Sequence, residues 1–540
     1  MFWRNSAIPR LCVRSRFQLQ TRFWSSKWEQ QPTLSNFDNI VPSNVVKFRI
    51  AELAEEHKDY KTALTYYKQA AEGEYNSAVL KLANYYEKGF KGKKDEINFE
   101  EALKYYQKAA DSGVAAAQCR LGAYYLEKDV PEVDIALRYL LLAAAQRNTT
   151  AQYYLGYIYE SSGDSKLAFE YYKLAAEGND QEALLRLTRC YGEGFGTELD
   201  QKKVFETFEI LANLENVQGL VGLGDCYFYG EGVQQNLGKG IEYYKKAALK
   251  GDADAQCCLG DCYYNGTGVD THKFKAVEYY TFAASQNFPR AQLNLANCYY
   301  NGEGTEIDYD KAFYYYKLAA DNDMPDAQHA VGVCYENGSG VEHDQRKAIA
   351  YFEMAADNGF ADSQCTLGDY YADIEKNYKK AFLYYKAAAD QGHTQAQCNM
   401  GAILLQTNDA DYHKALNYLT TAAETLPLPK YVLGLFYEDP SCPIQDLQKA
   451  LHYFTAAGKE GLPEALFKLG EYYENGCPPL IPQNAKQALE YFHKAAEKKY
   501  YPACAKLGSI YEEGILVPQD KYKAMEFYKY SYLDVFPDNK

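Results

Sequence analysis

Five cysteines stand 36 residues apart, at Cys190, Cys226, Cys262, Cys298 and Cys334, in a chain of 540 residues that holds fourteen cysteines in all. Thiols can ligate zinc, close disulfides or act as nucleophiles. The same register position elsewhere holds Tyr85, Tyr124, Ile158, Tyr370, Ile403, Tyr472 and Ile510. An apolar column in which cysteine alternates with tyrosine and isoleucine uses cysteine as a small hydrophobe. Equivalent points on stacked helices lie about 8–10 Å apart, beyond the roughly 7 Å reach of a disulfide. Cys257, Cys258 and Cys262 crowd one segment without a nearby histidine or second cysteine pair, so a zinc site is not indicated. Glycine pairs such as Gly266-Thr-Gly268 and Gly302-Glu-Gly304 lack the Lys-Ser/Thr of a phosphate loop. The eight histidines, His57, His272, His329, His343, His393, His413, His452 and His493, fall at unrelated positions. No catalytic, cofactor-binding or metal-ligating set is predicted.

The spacing itself is the stronger signal. Counting from Ala63 in Ala63-Leu-Thr-Tyr66-Tyr67-Lys-Gln-Ala70-Ala71, equivalent segments begin at Ala102, Ala136, Ala168, Val204, Gly240, Ala276, Ala312, Ala348, Ala381, Ala415, Ala450, Ala488 and Ala524. From Ala168 to Ala348 the interval is 36 residues five times running. Offsets 0, 4, 7 and 8 are small or aromatic and share one helical face. A Leu-Gly step, as in Leu259-Gly260 and Leu367-Gly368, follows at offset 19 in seven copies, with Leu82-Ala83, Leu187-Thr188, Leu295-Ala296, Val331-Gly332 and Met400-Gly401 as variants there, and only Leu433-Gly434 is displaced, by one residue. The first connection is therefore a fixed turn and the second a tolerant surface loop. Gly113, Asn179, Gly251, Gly359, Gly392 and Gly461 are placed to leave a helix through the left-handed region. Pro289, Pro325 and Pro463 are placed to open the next helix. Each unit reads as an αα-hairpin that buries its apolar face only by stacking on its neighbours. The predicted fold is all-α, a superhelical α/α solenoid of about 14 hairpins over residues 37–540, with a leading helix near 44–58 and a terminal cap at Ala524. Pro427, Pro429, Pro440 and Pro443 mark a candidate hinge near 425–443.

The motif Ala-x-x-Leu-Gly-x-x-Tyr-x-x-Gly-x-Gly, followed by Lys-Ala-x-x-Tyr-Tyr-x-x-Ala-Ala, is most complete over residues 255–284. It resembles the Sel1-like repeat family, a branch of the tetratricopeptide-like solenoids. The resemblance implies a protein-interaction scaffold in complex assembly, degradation or signalling, with no catalytic activity and no cofactor. Disulfide-stapled relatives carry a cysteine just after the first alanine of the Ala-Ala pair. This chain has Ala71, Ala110, Ala176, Ala248 and Ala320 there, which implies a reducing compartment.

Charge separates the chain into two materials. Arg4, Arg10, Arg14, Arg16, Arg22 and Lys27 precede the first acid, Glu29. Removing these six cations from a net charge of −16 leaves −22 on the remainder. An arginine-rich, acid-poor start with scattered aromatic residues and no long apolar core has the composition of a mitochondrial transit peptide. Residues 1–36 are accordingly expected to be a transit peptide and linker, with Arg22-Phe23-Trp24-Ser25 as the processing site and the matrix as destination. If the segment is only a basic arm, the protein is a cytosolic signalling or degradation adaptor. A body at −22 opposes nucleic-acid binding by phosphate neutralisation, so an organellar RNA-binding solenoid is the weaker reading. No apolar run is long enough for transmembrane insertion.

Partner specificity should lie at variable positions of the Leu-Gly helix. Offsets 14, 18, 21 and 25 form one stripe, which in related solenoids lines the concave face. Asp225, Asp261, Asp369 and Glu471 stand at offset 21, and Tyr229, Asn265, Asn301 and Asn337 at offset 25. Acids with amides and a tyrosine suit a protein or peptide partner with a basic extended segment. The same charges also suit the solvated face of an acidic protein.

Overall fold

The computed structural model describes residues 43–89, 97–406, 412–442, 444–477 and 479–532. The expected transit peptide and linker lie outside the described residues. Among the described residues there are 28 α-helices and no strands, apart from an isolated bridge between Cys477 and Ile481. The helices alternate as A, carrying the Ala-x-x-Tyr-Tyr segment, and B, carrying Leu-Gly. The chain divides into two compact units between Asn236 and Leu237. Within each unit, successive hairpins pack on one another. The first described helix is Asn44–Glu56 and the last is Lys521–Tyr532.

Sequence spacing sets which face of each helix is buried. The A helix Lys273–Ala284 buries Ala276, Tyr280, Ala283 and Ala284, and the A helix Tyr309–Ala320 buries Ala312, Tyr316, Ala319 and Ala320. These are offsets 0, 4, 7 and 8. An aspartate caps many A helices: Asp308 and Asp344 accept from the backbone N–H of Lys311 and Lys347 at 3.0 and 3.1 Å. Gly359, in the turn between an A and a B helix, has φ +85°, and Asn179 manages φ +59°. The B helices Pro289–Asn301, Pro325–Asn337 and Pro463–Asn475 each begin at their proline. In the loop after the B helix, Gly304 has φ +71°, and a Cβ there would lie 2.3 Å from the Lys273 carbonyl oxygen. This loop folds back onto the start of its own hairpin, which requires glycine at that point.

The glycine of the Leu-Gly step seats the next hairpin. A Cβ on Gly260 would lie 2.4 Å from the Tyr280 ring, and one on Gly368 2.5 Å from Tyr385. Gly156 meets Tyr172, Gly332 meets Phe352 and Gly470 meets Phe492 in the same way. Where Leu-Gly is displaced, Gly434 still meets Phe454. The lost residue is absorbed in the turn before Pro427, ahead of the seat. Pro427 and Pro429 occupy the first turn of the helix Pro427–Glu438, where a missing N–H costs no helical bond. Pro440 follows that helix, and Pro443 lies outside the described residues.

The first tyrosine of the A-helix pair makes a separate column. It stacks nearly parallel on a tyrosine of the preceding B helix: Tyr263 on Tyr279 (5.6 Å, 4°), Tyr299 on Tyr315 (6.1 Å, 3°) and Tyr371 on Tyr384 (5.5 Å, 1°). Tyr86 with Tyr105, Tyr159 with Tyr171 and Tyr473 with Tyr491 repeat this outside that stretch. The lysine just before the alanine lies over the outer ring, as Lys275 does over Tyr263 (5.3 Å) and Lys380 over Tyr371 (4.5 Å). Each ring pair is worth about 0.5–1.5 kcal/mol beyond its burial. This use of two tyrosines per junction accounts for much of a chain that holds 54 of them. The Ala-Gln of the B helix has its own task. Buried Gln364 donates to the Ala356 carbonyl at 3.1 Å and accepts from Gln391 of the following A helix at 2.8 Å. Gln118 does the same with Ala110 and Gln146, and Gln256 with Ala248 and Gln286.

Replacing Gly368 with alanine should therefore destabilise the protein. Alanine gains about 1 kcal/mol in a helix, but forcing a methyl into a packed site costs about 1–3 kcal/mol. A lower urea midpoint is expected, and a higher one would refute the seat.

Candidate partner-binding face

Tyr280 is buried to its ring, and its hydroxyl must find an acceptor. It finds Asp261 of the preceding B helix, at 2.7 Å. Asp261 also accepts from Asn294 at 2.9 Å and pairs with Arg290, both on the following B helix. Burial, reinforced by this carboxylate, raises the Tyr280 phenol far above its ordinary range. Asp369 serves Tyr385 in the same way, at 2.6 Å, and accepts from Asn399 at 3.1 Å. Burial raises the Asp369 carboxyl, against the opposing effect of the tyrosine bond. Asn297 accepts from Tyr316, and Asn84 and Glu87 from Tyr106, each at 2.6 Å. Offset 21 is thus the acceptor for Tyr106, Tyr280, Tyr316 and Tyr385, whereas Tyr172 and Tyr528 donate to Glu160 and Glu512 at offset 24. Where the ring position holds Leu140, Phe352 or Leu419, offset 21 is Ala123, Val333 or Ala402. Phe208 and Phe492 nevertheless follow Arg189 and Glu471, so the pairing between copies is partial.

Asp225 is half-buried and Tyr229 is 65% exposed, at the end of the helix Val217–Tyr229 in the first unit. Asn265, Asn301 and Asn337 are exposed at the last position of their B helices, each directly before a left-handed glycine. Glu471 is half-buried beside Lys468, at 3.4 Å. The five registered cysteines are buried. Burial pushes Cys190, Cys262, Cys298 and Cys334 up to about 11 and Cys226 up to about 12, so these thiols stay protonated near neutrality. Among the described residues no cluster could hold a metal ion, and no helix is long and apolar enough to cross a membrane.

Offset 18 carries the cations of the face. Lys81 pairs with Glu55 at 3.1 Å, Arg120 with Glu87 at 2.5 Å, Lys468 with Glu438 at 3.3 Å and Lys506 with Glu474 at 2.8 Å, each across adjacent B helices. Arg186 and Arg189 both reach Glu160. Burial raises Glu160, but its bonds from Tyr172 and Arg189 outweigh this and hold it below the usual carboxylate range. Between 253 and 406 the column instead holds Cys258, Asn294, Ala330, Thr366 and Asn399. The five B helices of this stretch, from Ala253–Asn265 to Thr394–Gln406, contain seven carboxylates and one guanidinium, that of Arg290.

The family model for the Sel1 repeat matches residues 57–75, 76–114, 115–148, 149–180, 217–252, 253–288, 289–324, 325–360, 361–393, 394–424, 430–462, 463–500 and 502–532. The chain belongs to the Sel1 repeat family. Residues 181–216, with the divergent Val204 copy, fall in none of the thirteen matched segments. Among solved structures, the chain is similar to a protective antigen present in uropathogenic Escherichia coli strains that displays an SLR fold. Identity is 25%, over 88% of this chain and 97% of that one, with a TM-score of 0.61. It is also similar to a Sel1 repeat protein from Oxalobacter formigenes, at 26% identity over 44% of this chain and 98% of that one, with a TM-score of 0.42. No curated protein sequence matches the chain as a whole. Sel1 solenoids are typically protein-interaction scaffolds, and the B helices of this one carry the side chains that differ most from copy to copy.

Asp261→Ala should cost about 1–3 kcal/mol by stranding the Tyr280 hydroxyl. Adding Tyr280→Phe should return part of that loss in a double-mutant cycle. Additive losses would show that the two groups do not depend on each other.

Proposed function

We propose that this Sel1 repeat protein is a non-enzymatic adaptor that holds a basic segment of a protein partner on the B helices between 253 and 406. The observation that carries this is the seven carboxylates against one guanidinium on five consecutive B helices. In the flanking hairpins the acids are neutralised by lysine or arginine one repeat further on. In this stretch Arg290 alone does so, for Asp254 and Asp261, and the other complementary cations are left for a partner to supply. Asp261 and Asp369 hold tyrosines, so they contribute field without being free to move. Asp326, Asp362 and Asp373 are exposed, and Asp362 lies 3.2 Å from the imidazole of His393. The site of action is the mitochondrial matrix, in assembly or regulation of a protein complex, on the strength of the basic acid-free leader. RNA is not the partner, because the surface that would meet phosphate is acidic.

Changing Asp326, Asp362 and Asp373 to lysine should weaken capture of a synthetic Lys/Arg-rich peptide by about tenfold or more, since close charge pairs carry about 1.5 kcal/mol or above. Wild-type binding should fall with added salt. Equal affinity of variant and wild type would move the partner off this stretch. Separately, isolated mitochondria should import and shorten the full-length chain but not a chain lacking residues 1–28. An uncleaved product left outside would place the adaptor in the cytosol.

A further inference from the structure

Three successive B helices of the first unit, Asn76–Lys88, Ala115–Leu126 and Thr149–Ser161, surround a recess of about 490 Å³. Its origin lies in two small residues of the middle helix. Ala116 occupies the offset-14 position that is Asp254, Asp326 or Asp362 further along the chain. Ala123 occupies offset 21, where no acceptor is needed because the ring position of the next hairpin is Leu140. Cys119 and Ala123 are buried beneath the opening, and the half-buried Tyr154 borders it. Arg120 also lines the recess. Its guanidinium is held at the edge by Glu87 at 2.5 Å and Glu127 at 3.1 Å. A planar cation fixed by its N–H edge keeps its faces for stacking.

We infer that this recess takes the aromatic side chain, tryptophan or tyrosine, of an extended segment of a protein partner. The inference rests on the reading of the B-helix face as the partner face, but it uses none of the acid-rich stretch. Volume and chemistry select the occupant. A space of this size lies within the range of small-ligand sites and holds an indole with its adjoining backbone. An aromatic ring meets the alanines and cysteine of the middle helix below, polar neighbours Asn84, Asn148 and Thr150 around them, and a guanidinium beside it, which gives an attraction that an aliphatic chain does not share. A lysine or arginine gains little, because both carboxylates of the rim already face Arg120. Buried aromatic anchors of this kind concentrate the energy of protein–protein contacts.

The test uses the full chain and three capped amino acids, N-acetyl-L-tryptophanamide, N-acetyl-L-leucinamide and N-acetyl-L-lysinamide, titrated by ligand-observed saturation-transfer NMR. The tryptophan probe should bind about fivefold tighter than the leucine probe, the size of a partly desolvated cation–π contact. Ala116 is exposed, so Ala116→Trp can fill the recess without entering the core and should abolish that binding. Arg120→Gln should bring the two probes within about twofold of each other. Circular dichroism of each variant reports that the helices persist. Equal binding of the three probes, or tryptophan-probe binding unchanged in Ala116→Trp, overturns the inference. Neither result touches capture of the Lys/Arg-rich peptide, which tests the other surface.

Discussion

A side chain on one hairpin pressed onto a bare backbone on the hairpin before it is the contact that everything else in this molecule serves. The ring of Tyr172, Tyr280, Phe352, Tyr385, Phe454 or Phe492 lies where a Cβ of the facing glycine would be. Two consequences follow from that single seat. The A helix approaches the B helix closely enough that offsets 0, 7 and 8 must be small, which is why alanine dominates them. The distance from alanine to Leu-Gly is also pinned, because one hairpin must deliver both its own ring to the preceding glycine and its own glycine to the following ring. The displaced Leu433-Gly434 shows the rule under strain: the chain shortens the turn before Pro427 and still delivers Gly434 to Phe454. Length freedom is left only beyond the B helix, in the loop that leads to the next A helix.

A tyrosine in the seat brings a hydroxyl with it, and that hydroxyl reaches the B-helix stripe. A residue of the stripe is then committed to the fold before any partner arrives. Asp261 and Asp369 are committed in this sense, bonded to Tyr280 and Tyr385. A phenylalanine or leucine in the seat releases the position, and Ala123, Val333 and Ala402 fill it. A tyrosine deep in the stack thus commits an acceptor on the surface above it, as at Asp261, Asn297 and Asp369, while an apolar ring leaves that position free to vary.

The architecture was legible in the sequence because it is written many times. Periodicity placed the hairpins, the left-handed turn residues and the proline starts at Pro289, Pro325 and Pro463, and the helices fall there. The apolar cysteine column was legible by comparison with Tyr85 and Ile158 at the same register. The face was read less completely. Asp261 and Glu471 look alike in one copy of the motif, yet the first carries a buried hydroxyl while the next ring after the second is Phe492. Only pairing offset 21 of one copy with offset 4 of the next separates them. Counting the acids of the stripe without the lysines and arginines of offset 18 likewise hid the difference between neutralised hairpins and the stretch from 253 to 406. The asparagines at 265, 301 and 337 were legible as a column. Each is the last residue of its helix, directly before the left-handed glycine that ends it, a placement that charge reasoning alone does not reveal.

Stability explains why the charge ladder can be dropped from the middle of the chain. Exposed ion pairs between helices contribute about 0–1 kcal/mol each, less than the burial of one ring at a junction, about 1.5–3 kcal/mol. Replacing the cation column by Cys258, Asn294, Ala330, Thr366 and Asn399 therefore leaves the stack intact while changing the electrostatic potential over five consecutive helices. The ring seats vary less: the facing residue is glycine in most copies and otherwise Ala83, Thr188 or Ala296, and the ring position holds only tyrosine, phenylalanine or leucine. The molecule thus separates a scaffold set by close packing from a surface whose charge can vary at little cost, and the adaptor function proposed here depends on that separation.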